Sequence, residues 1–78
     1  MVKLKVKINS ISDVKEFCNL STRQIFDIDI VSGRYIIDAK SIMGLFSLDL
    51  SKALEVNVHA TEDEAKDFIK ALDKFIVK

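Results

Sequence analysis

The sequence has little of what small proteins use to cross-link, bend or interrupt a chain. Its 78 residues include no proline, no tryptophan, two glycines and a single cysteine, Cys18. One cysteine cannot form an internal disulfide, and a chain of this size that depended on disulfides would carry several. The composition therefore predicts a protein of a reducing compartment, which we expect to be the cytoplasm.

Long apolar runs and linker-like segments are also missing. No run approaches the roughly 20 apolar residues of a membrane span, and Met1-Val2-Lys3 enters a strand pattern rather than a signal peptide. No repeat and no low-complexity segment divides the chain. We therefore expect one domain over residues 1–78, without a membrane partner.

Net charge is absent as well. Twelve basic and twelve acidic residues cancel, which argues against a surface that holds nucleic acid or a membrane through net charge. A chain this short buries only about 60% of its unfolded surface, so one modest core is expected. These features exclude a protein that binds nucleic acid directly through a strongly basic surface.

Three segments, residues 2–8, 25–31 and 54–58, alternate between apolar and polar residues, which is the pattern of half-buried strands. Ser32-Gly33 forms a turn after the second of them, so residues 34–38 are expected to be the second strand of a hairpin. The polar face of these strands would carry charges of both signs, which favours a structural face over a binding face. Its charged residues are Lys3, Lys5, Lys7, Asp27, Asp29 and Glu55.

Two of the predicted helices show a clear apolar stripe. Either Ser10 or Ser12 can cap the first, which would fade near Thr22. The last begins with a capping box formed by Thr61 and Glu64. Apolar or small residues recur at spacings of three and four in both helices. The inward positions are Val14, Phe17, Cys18 and Ser21 in the first, and Ala65, Phe68, Ile69, Leu72, Phe75 and Ile76 in the last.

A short helix is predicted between the hairpin and the fourth strand. Ser41 can cap it, and it would run from Ile42 to Phe46 or Leu48. Gly44 lies inside this helix, where no turn requires a glycine, which indicates that another group approaches the helix closely at this position. The order strand, helix, strand, strand, helix, strand, helix predicts an α+β fold of two layers, with three helices on one face of a four-stranded sheet.

The short helix contains more apolar residues than it can bury. Ile42, Met43, Leu45 and Phe46 cannot all point inward, so we expect at least two in the core and the others on the surface. An exposed cluster of this kind commonly contacts a partner protein, and methionine and phenylalanine suit that role. The pattern predicts an apolar patch beside Ser41.

Residues with catalytic or metal-binding chemistry are few. His59, the only histidine, shares the polar face with Glu55 and is expected to be an ordinary surface histidine. Cys18 lies on an apolar helix face and is expected to be buried and inert. One cysteine and one histidine on different elements do not make a zinc site. Asp27 and Asp29 fit a polar strand face. We expect no enzymatic activity, no metal and no cofactor.

Ser41 has two interpretations. A hydroxyl at a helix start lies where backbone donors favour negative charge, so a phosphate there would be stabilised locally. A plain N-cap, worth about 1 kcal/mol, explains the residue equally and needs no modification. Local physics alone favours the plain cap.

The segment Ala39-Lys40-Ser41-Ile42-Met43-Gly44-Leu45-Phe46-Ser47-Leu48 resembles the signature around the regulatory serine of the HPr phosphocarrier proteins of the bacterial sugar phosphotransferase system. The resemblance extends from Asp27 to the C-terminus, and the lysine-rich first strand also fits. It implies the HPr fold, an open-faced β-sandwich of order βαββαβα whose four-stranded antiparallel sheet is covered on one face by three helices.

The resemblance also implies roles for residues of the short helix. Ser41 would occupy the position that the ATP-dependent HPr kinase phosphorylates, and Lys40 would flank the phosphate. The partner-binding surface of the family would include Ile42, Met43 and Phe46.

The sequence departs from the family at the carrier site. HPr carriers have a Gly-Leu-His-Ala-Arg-Pro-like segment that places the phosphorylated histidine at the start of the first helix, whereas this chain has residues 9–16 without a histidine. Counting from the first strand puts Lys15 at the histidine position, and counting back from the second strand puts Ser10 there. Neither can form a phosphohistidine. In this respect the chain is similar to the catabolite-repression variants of HPr.

Three functional hypotheses follow. The first is a regulatory binding module that has lost histidine phosphotransfer and is switched at Ser41, with HPr kinase and phosphotransferase-system or transcription-regulator proteins as partners. The second is a phosphocarrier that uses a non-standard residue. The third is a plain interaction or oligomerisation domain, with a homodimer formed through the open sheet edge or through Met43 and Phe46.

Overall fold

A computed structural model describes residues 1–77 and contains four strands, three α-helices and one short 3₁₀ helix. In chain order these are β1 (Val2–Val6), α1 (Ile11–Thr22), β2 (Ile28–Ser32), β3 (Tyr35–Asp38), α2 (Ile42–Phe46), β4 (Leu54–Val58), α3 (Glu62–Ala71) and the 3₁₀ helix (Asp73–Phe75). The order agrees with the one predicted from the sequence.

The four strands form one antiparallel sheet in the order β1-β4-β2-β3. The register places Val56 of β4 between Leu4 of β1 and Ile30 of β2. Because side chains alternate across a strand, the apolar residues of the central strands reach the same face. The helices pack on that face, which gives the open-faced α+β sandwich expected from the sequence.

The core lies between the sheet and the helices. Strands and helices both contribute fully or nearly fully buried side chains, and Phe17 meets Phe75 edge to face with their ring centroids 6.2 Å apart. The inward positions predicted for α1 are confirmed, because its buried residues are Val14, Phe17, Cys18 and Ser21. The opposite face of the sheet carries the exposed Lys3 and Lys5.

Helix starts follow the capping residues in the sequence. The Ser10 hydroxyl accepts a hydrogen bond from the Asp13 N–H at 3.1 Å, which identifies Ser10 rather than Ser12 as the cap of α1. At α3, Thr61 and Glu64 form the predicted capping box. Local side-chain chemistry therefore determines where both long helices begin.

Three element ends differ from the sequence-based prediction by two residues or more. Smaller differences lie in the hairpin, where β2 extends to Ser32 and β3 begins at Tyr35, so the turn is Gly33-Arg34 rather than Ser32-Gly33. β1 ends at Val6 rather than at residue 8, because the next N–H, that of Lys7, donates to the Phe75 carbonyl at 2.8 Å. β2 begins at Ile28 rather than at residue 25, and Ile25 before it is 99% exposed. Residues 25–27 approach the sheet as irregular chain, with Phe26 stacked edge to face on Phe68.

The third correction concerns the last helix, which was expected to include Phe75 and Ile76. α3 ends at Ala71, and the chain tightens into the 3₁₀ helix before it extends. The extended part runs beside β1, where Ile76 pairs with Val6 and the Val77 N–H donates to the Lys5 carbonyl at 2.9 Å. Hydrogen bonding to β1 thus replaces a further helical turn.

Candidate functional site

The candidate site lies at α2 and the turn before it. The Ala39 N–H donates to the Ile28 carbonyl at 2.9 Å, and the Ser41 N–H donates to the Asp38 carbonyl at 3.0 Å. These bonds end β3 and turn the chain into α2. Ala39 itself is fully buried, so the segment that leads to Ser41 is anchored in the core.

Ser41 caps α2 and is exposed. Its backbone is extended, with φ −97° and ψ 104°, and its hydroxyl oxygen accepts a hydrogen bond from the Gly44 N–H at 3.3 Å. The cap predicted from the sequence is therefore present. The residue as a whole is exposed to solvent.

The apolar residues of α2 divide between core and surface. Leu45 is buried at 1% exposure and Ile42 is half-buried against the core, whereas Met43 is 77% exposed and Phe46 is 44% exposed. Met43 and Phe46 are three residues apart and so lie on one face of the helix. We call Ile42, Met43 and Phe46 the α2 patch. It agrees with the predicted division of these residues between core and surface.

Gly44 allows α2 to lie close to β3. A Cβ atom built on Gly44 would lie 2.5 Å from Cγ2 of Ile37, a separation that real Cβ atoms do not reach. The group whose close approach was predicted from the sequence is thus a side chain of the preceding strand. The glycine holds α2, and with it Ser41, against the sheet.

Lys40 is directed toward α1. Its ammonium group donates to the Gln24 carbonyl at 2.9 Å, and the residue is half-buried. The sequence indicated a lysine beside Ser41 but not this contact, because Gln24 follows α1 and is 16 positions away. Lys40 therefore joins the segment after α1 to the segment before α2.

A cavity of about 390 Å³ lies between α1 and α2. Cys18 lines it and donates from Sγ to the Lys40 carbonyl at 3.7 Å. Burial raises the pKa of the Cys18 thiol, and the negative charge of Asp38 raises it further. A thiol kept protonated in this way is a poor nucleophile, in agreement with the inert role expected for Cys18.

The start of α1 and the single histidine are separate features. Ser10 caps α1, whereas Lys15 lies within the helix, so the residue at the start of the first helix is Ser10. His59 follows β4 and is exposed, with Nε2 2.7 Å from Oδ2 of Asp29. This contact was not foreseen, because only the sheet order places the end of β4 beside β2.

Two properties of the described residues bear on the class of protein. Within residues 1–77, no helix is long and apolar enough to cross a membrane. In the same range, no three His, Cys, Asp or Glu side chains are grouped so that they could hold a metal ion. Together with the α2 patch, the fold defines a small α+β protein whose most distinctive surface is an exposed serine beside apolar side chains.

Comparison with known proteins places this fold in a family. The family model described as the PTS HPr component phosphorylation site matches residues 5–78. The chain therefore belongs to the HPr family of the phosphotransferase system. Members of this family are phosphocarrier proteins rather than enzymes. A comparison with curated protein sequences finds no match.

Solved structures show the same fold at low sequence identity. HPr-C-His from Thermoanaerobacter tengcongensis is 21% identical, with a TM-score of 0.76, and the match covers 95% of this chain and 89% of that one. The phosphocarrier protein HPr from Bacillus anthracis str. Ames is 20% identical, with a TM-score of 0.72 and coverage of 97% and 96%.

Crh, the catabolite repression containing protein of Bacillus subtilis, is a third structure with this fold. It is 18% identical, with a TM-score of 0.63, and the match covers 100% of this chain and 93% of Crh. That protein is described as a dimer with a swapped domain. At these identities the three structures establish the fold of the chain and nothing further.

Proposed function

We propose that the protein is a regulatory binding module of the phosphotransferase system that has lost histidine phosphotransfer and is switched by phosphorylation of Ser41. The observation that carries the proposal is the exposed Ser41 directly before the α2 patch, in a member of the HPr family. The whole chain, residues 1–78, acts as one HPr-like domain in the cytoplasm. It binds other proteins and catalyses no reaction of its own.

The position of the histidine supports the loss of the relay. A phosphocarrier needs a group whose phosphoryl bond has high transfer potential, and an imidazole nitrogen supplies it, whereas a serine or lysine side chain does not readily replace it. The residue that begins the first helix is Ser10, and its oxygen is engaged in capping that helix. His59 lies on another element, beside Asp29 on the polar side of the sheet.

The proposed switch is electrostatic. A phosphate on Ser41 adds about −1.5 to −2 charges and three acceptor oxygens beside Met43 and Phe46. A partner that docks on the α2 patch with apolar or acidic residues would be repelled, and a partner with an arginine would be recruited through charge-assisted hydrogen bonds. Since Lys40 is engaged with Gln24, we assign the main cationic contact to the partner, with Lys40 at the edge of the interface.

The partners follow from this mechanism. HPr kinase would phosphorylate Ser41, and phosphotransferase-system proteins or transcription regulators would then distinguish the two forms. Each would contact Ile42, Met43 and Phe46, whose combined exposure allows docking. Nucleic acid would be reached only through such a protein partner, because the net charge of the chain is zero.

The test is phosphorylation by HPr kinase and ATP, measured by intact-mass spectrometry. We expect one phosphate on the native chain and on Ser47→Ala, and none on Ser41→Ala. Ser47 is the matched control because it is also an exposed serine, at the other end of α2. A Met43→Lys variant should be modified more slowly if the kinase docks on the α2 patch.

The result that would overturn the proposal is equally direct. If the native chain gains no phosphate under conditions that fully modify an ordinary HPr, Ser41 is a helix cap only. Thermal unfolding of Ser41→Ala must be measured beside the assay, since loss of an N-cap costs about 1 kcal/mol on its own.

A further inference from the structure

The two edges of the sheet differ in whether they are covered. At the β1 edge, Phe75 at the end of the 3₁₀ helix accepts the Lys7 N–H, and Val77 in the extended chain after it donates to the Lys5 carbonyl. Within residues 1–77 no chain pairs with the outer side of β3. An uncovered edge strand presents free N–H and C=O groups that can pair with another strand.

The hairpin register shows which groups of β3 point outward. Ser32 pairs with Tyr35 across a two-residue turn, so these two residues exchange hydrogen bonds. In an antiparallel pair such hydrogen-bonded positions alternate along the strand. The N–H and C=O of Ile36 therefore face away from β2, toward the open side.

The open edge also exposes large apolar side chains. Tyr35 is 72% exposed and Ile36 is 70% exposed. They point to opposite faces of the sheet, because neighbouring residues of a strand alternate. A second strand laid along β3 would cover part of both side chains and would satisfy the outward backbone groups of Ile36.

The charges beside β3 match a second copy of the same strand. An antiparallel pair centred on Ile36 places Ile36 opposite Ile36, Tyr35 opposite Ile37, and Arg34 opposite Asp38, once on each side of a twofold axis. Opposite charges facing each other across strands are favourable, whereas like charges at both ends would oppose such pairing. The segment is thus complementary to itself in charge, and the outward N–H and C=O of Ile36 can pair with those of Ile36 in a second copy.

Asp38, at the acidic end of β3, has no ion pair within residues 1–77. Asp38 lies directly across from Asp29 in the hairpin register, and like charges in that arrangement repel. Asp29 is in contact with His59, whereas Asp38 uses Oδ1 to accept the Lys40 N–H at 2.9 Å. Arg34 is exposed and likewise forms no ion pair in that range.

We propose that the β3 edge is a homodimer interface, in which two copies pair antiparallel about Ile36 and Arg34 of each copy contacts Asp38 of the other. The result is one continuous eight-stranded sheet with twofold symmetry. An interface of one short strand is small and belongs to the weak class, so we expect dimerisation only at high protein concentration. The proposal does not rest on the switch at Ser41, and different substitutions test the two.

The test is sedimentation equilibrium over a range of concentrations, with charge reversals as variants. We expect the native chain to dimerise, and Arg34→Asp and Asp38→Arg to weaken dimerisation by about tenfold or more each, because each places like charges opposite each other twice. An equimolar mixture of the two variants should dimerise as the native chain does, since both cross-pairs are then opposite in charge. Lys66→Asp, a reversal on α3, is the matched control.

A further variant tests the interface without changing Asp38, whose carboxylate accepts a hydrogen bond from the Lys40 N–H in the turn before α2. Ile36→Lys changes a side chain that is already exposed in the single copy, but it places two lysines opposite each other in the dimer. It should retain the native circular dichroism spectrum and lose dimerisation. Any of three results would overturn the proposal. The native chain stays monomeric up to about 1 mM, Ile36→Lys dimerises as strongly as the native chain, or the mixture of the two charge-reversed variants fails to associate.

Discussion

Gly44 shows how one residue determines the position of the candidate site. With no side chain, it lets α2 lie against Ile37 of β3, so that Ser41 and the α2 patch have fixed places relative to the sheet. A glycine inside a helix costs about 1 kcal/mol relative to alanine. Alanine at this position would avoid this cost, but its methyl group would collide with the side chain of Ile37 in β3.

Replacing Gly44 with alanine should therefore destabilise the protein. The new Cβ would lie 2.5 Å from Cγ2 of Ile37, and overpacking of this kind typically costs about 1–3 kcal/mol, which outweighs the gain in helix propensity. Urea unfolding measures the change. In an Ile37→Ala background, which removes Cγ2, the same Gly44→Ala substitution should cost much less. A Gly44→Ala protein as stable as the native chain would contradict this account.

Single residues also show the limits of prediction from sequence. The Ser41 cap, the burial of Cys18 and the division of the α2 residues between core and surface were all predicted, because each depends on neighbours within a few positions. The contacts of Lys40 with Gln24 and of His59 with Asp29 were not. Those pairs are 16 and 30 positions apart, and only the packing of helices and strands brings them together.

At the scale of elements, α3 depends most clearly on local chemistry. The Thr61 hydroxyl accepts from the Glu64 N–H at 3.1 Å, and the Thr61 N–H donates to the Glu64 carboxylate at 3.0 Å. The hydrogen bonds from the Thr61 backbone, and then those from its side chain, lower the pKa of Glu64. The charged carboxylate is thus part of the helix start.

Thr61→Ala should lower the free energy of unfolding by about 1 kcal/mol, the usual cost of losing an N-cap. Thr61→Ser should retain most of the native value, because serine supplies the same acceptor. Chemical denaturation at neutral pH measures both. Equal stability of Thr61→Ala and the native chain would show that the box contributes nothing to α3.

The same capping box predicts that the free energy of unfolding falls as the solution becomes acidic. The pKa of Glu64 is lowered in the folded state. The ionised carboxylate therefore stabilises the fold at pH values above the pKa that Glu64 has in the unfolded chain, and this stabilisation is lost as the pH falls through the pKa that it has in the folded protein. Glu64→Gln can still accept a hydrogen bond but does not titrate. Between roughly pH 5 and pH 3 the native chain should therefore lose more stability than this variant does.

Element boundaries were predicted less well than element types. All four strands and three helices were expected. Apolar periods indicated three strands and the two long helices, the hairpin turn indicated β3, and the cap residue Ser41 indicated α2. The ends that moved, those of β1, β2 and α3, are the ones that depend on partners elsewhere. The Phe75 carbonyl takes the N–H of Lys7, and the Asp27 carbonyl takes that of His59, and neither pairing can be inferred from periodicity.

At the scale of the whole molecule, the sheet order separates a covered edge from an open one. β1 is bordered by the chain that follows the 3₁₀ helix, whereas β3 has no neighbour on its outer side within residues 1–77. The α2 patch and the β3 edge are consequently two distinct surfaces. Phosphorylation and dimerisation can be tested separately on them.

The central proposal concerns the whole molecule: a chain with the HPr fold that takes no part in phosphotransfer from phosphoenolpyruvate. The direct measurement is incubation with phosphoenolpyruvate and the general phosphotransferase enzyme, followed by intact-mass spectrometry under conditions that preserve phosphohistidine. An ordinary HPr in the same reaction is the positive control. Our account predicts that the control gains one phosphate and this chain gains none. A phosphate on this chain, on His59 or at any other residue, would contradict the claim and identify it as a working carrier.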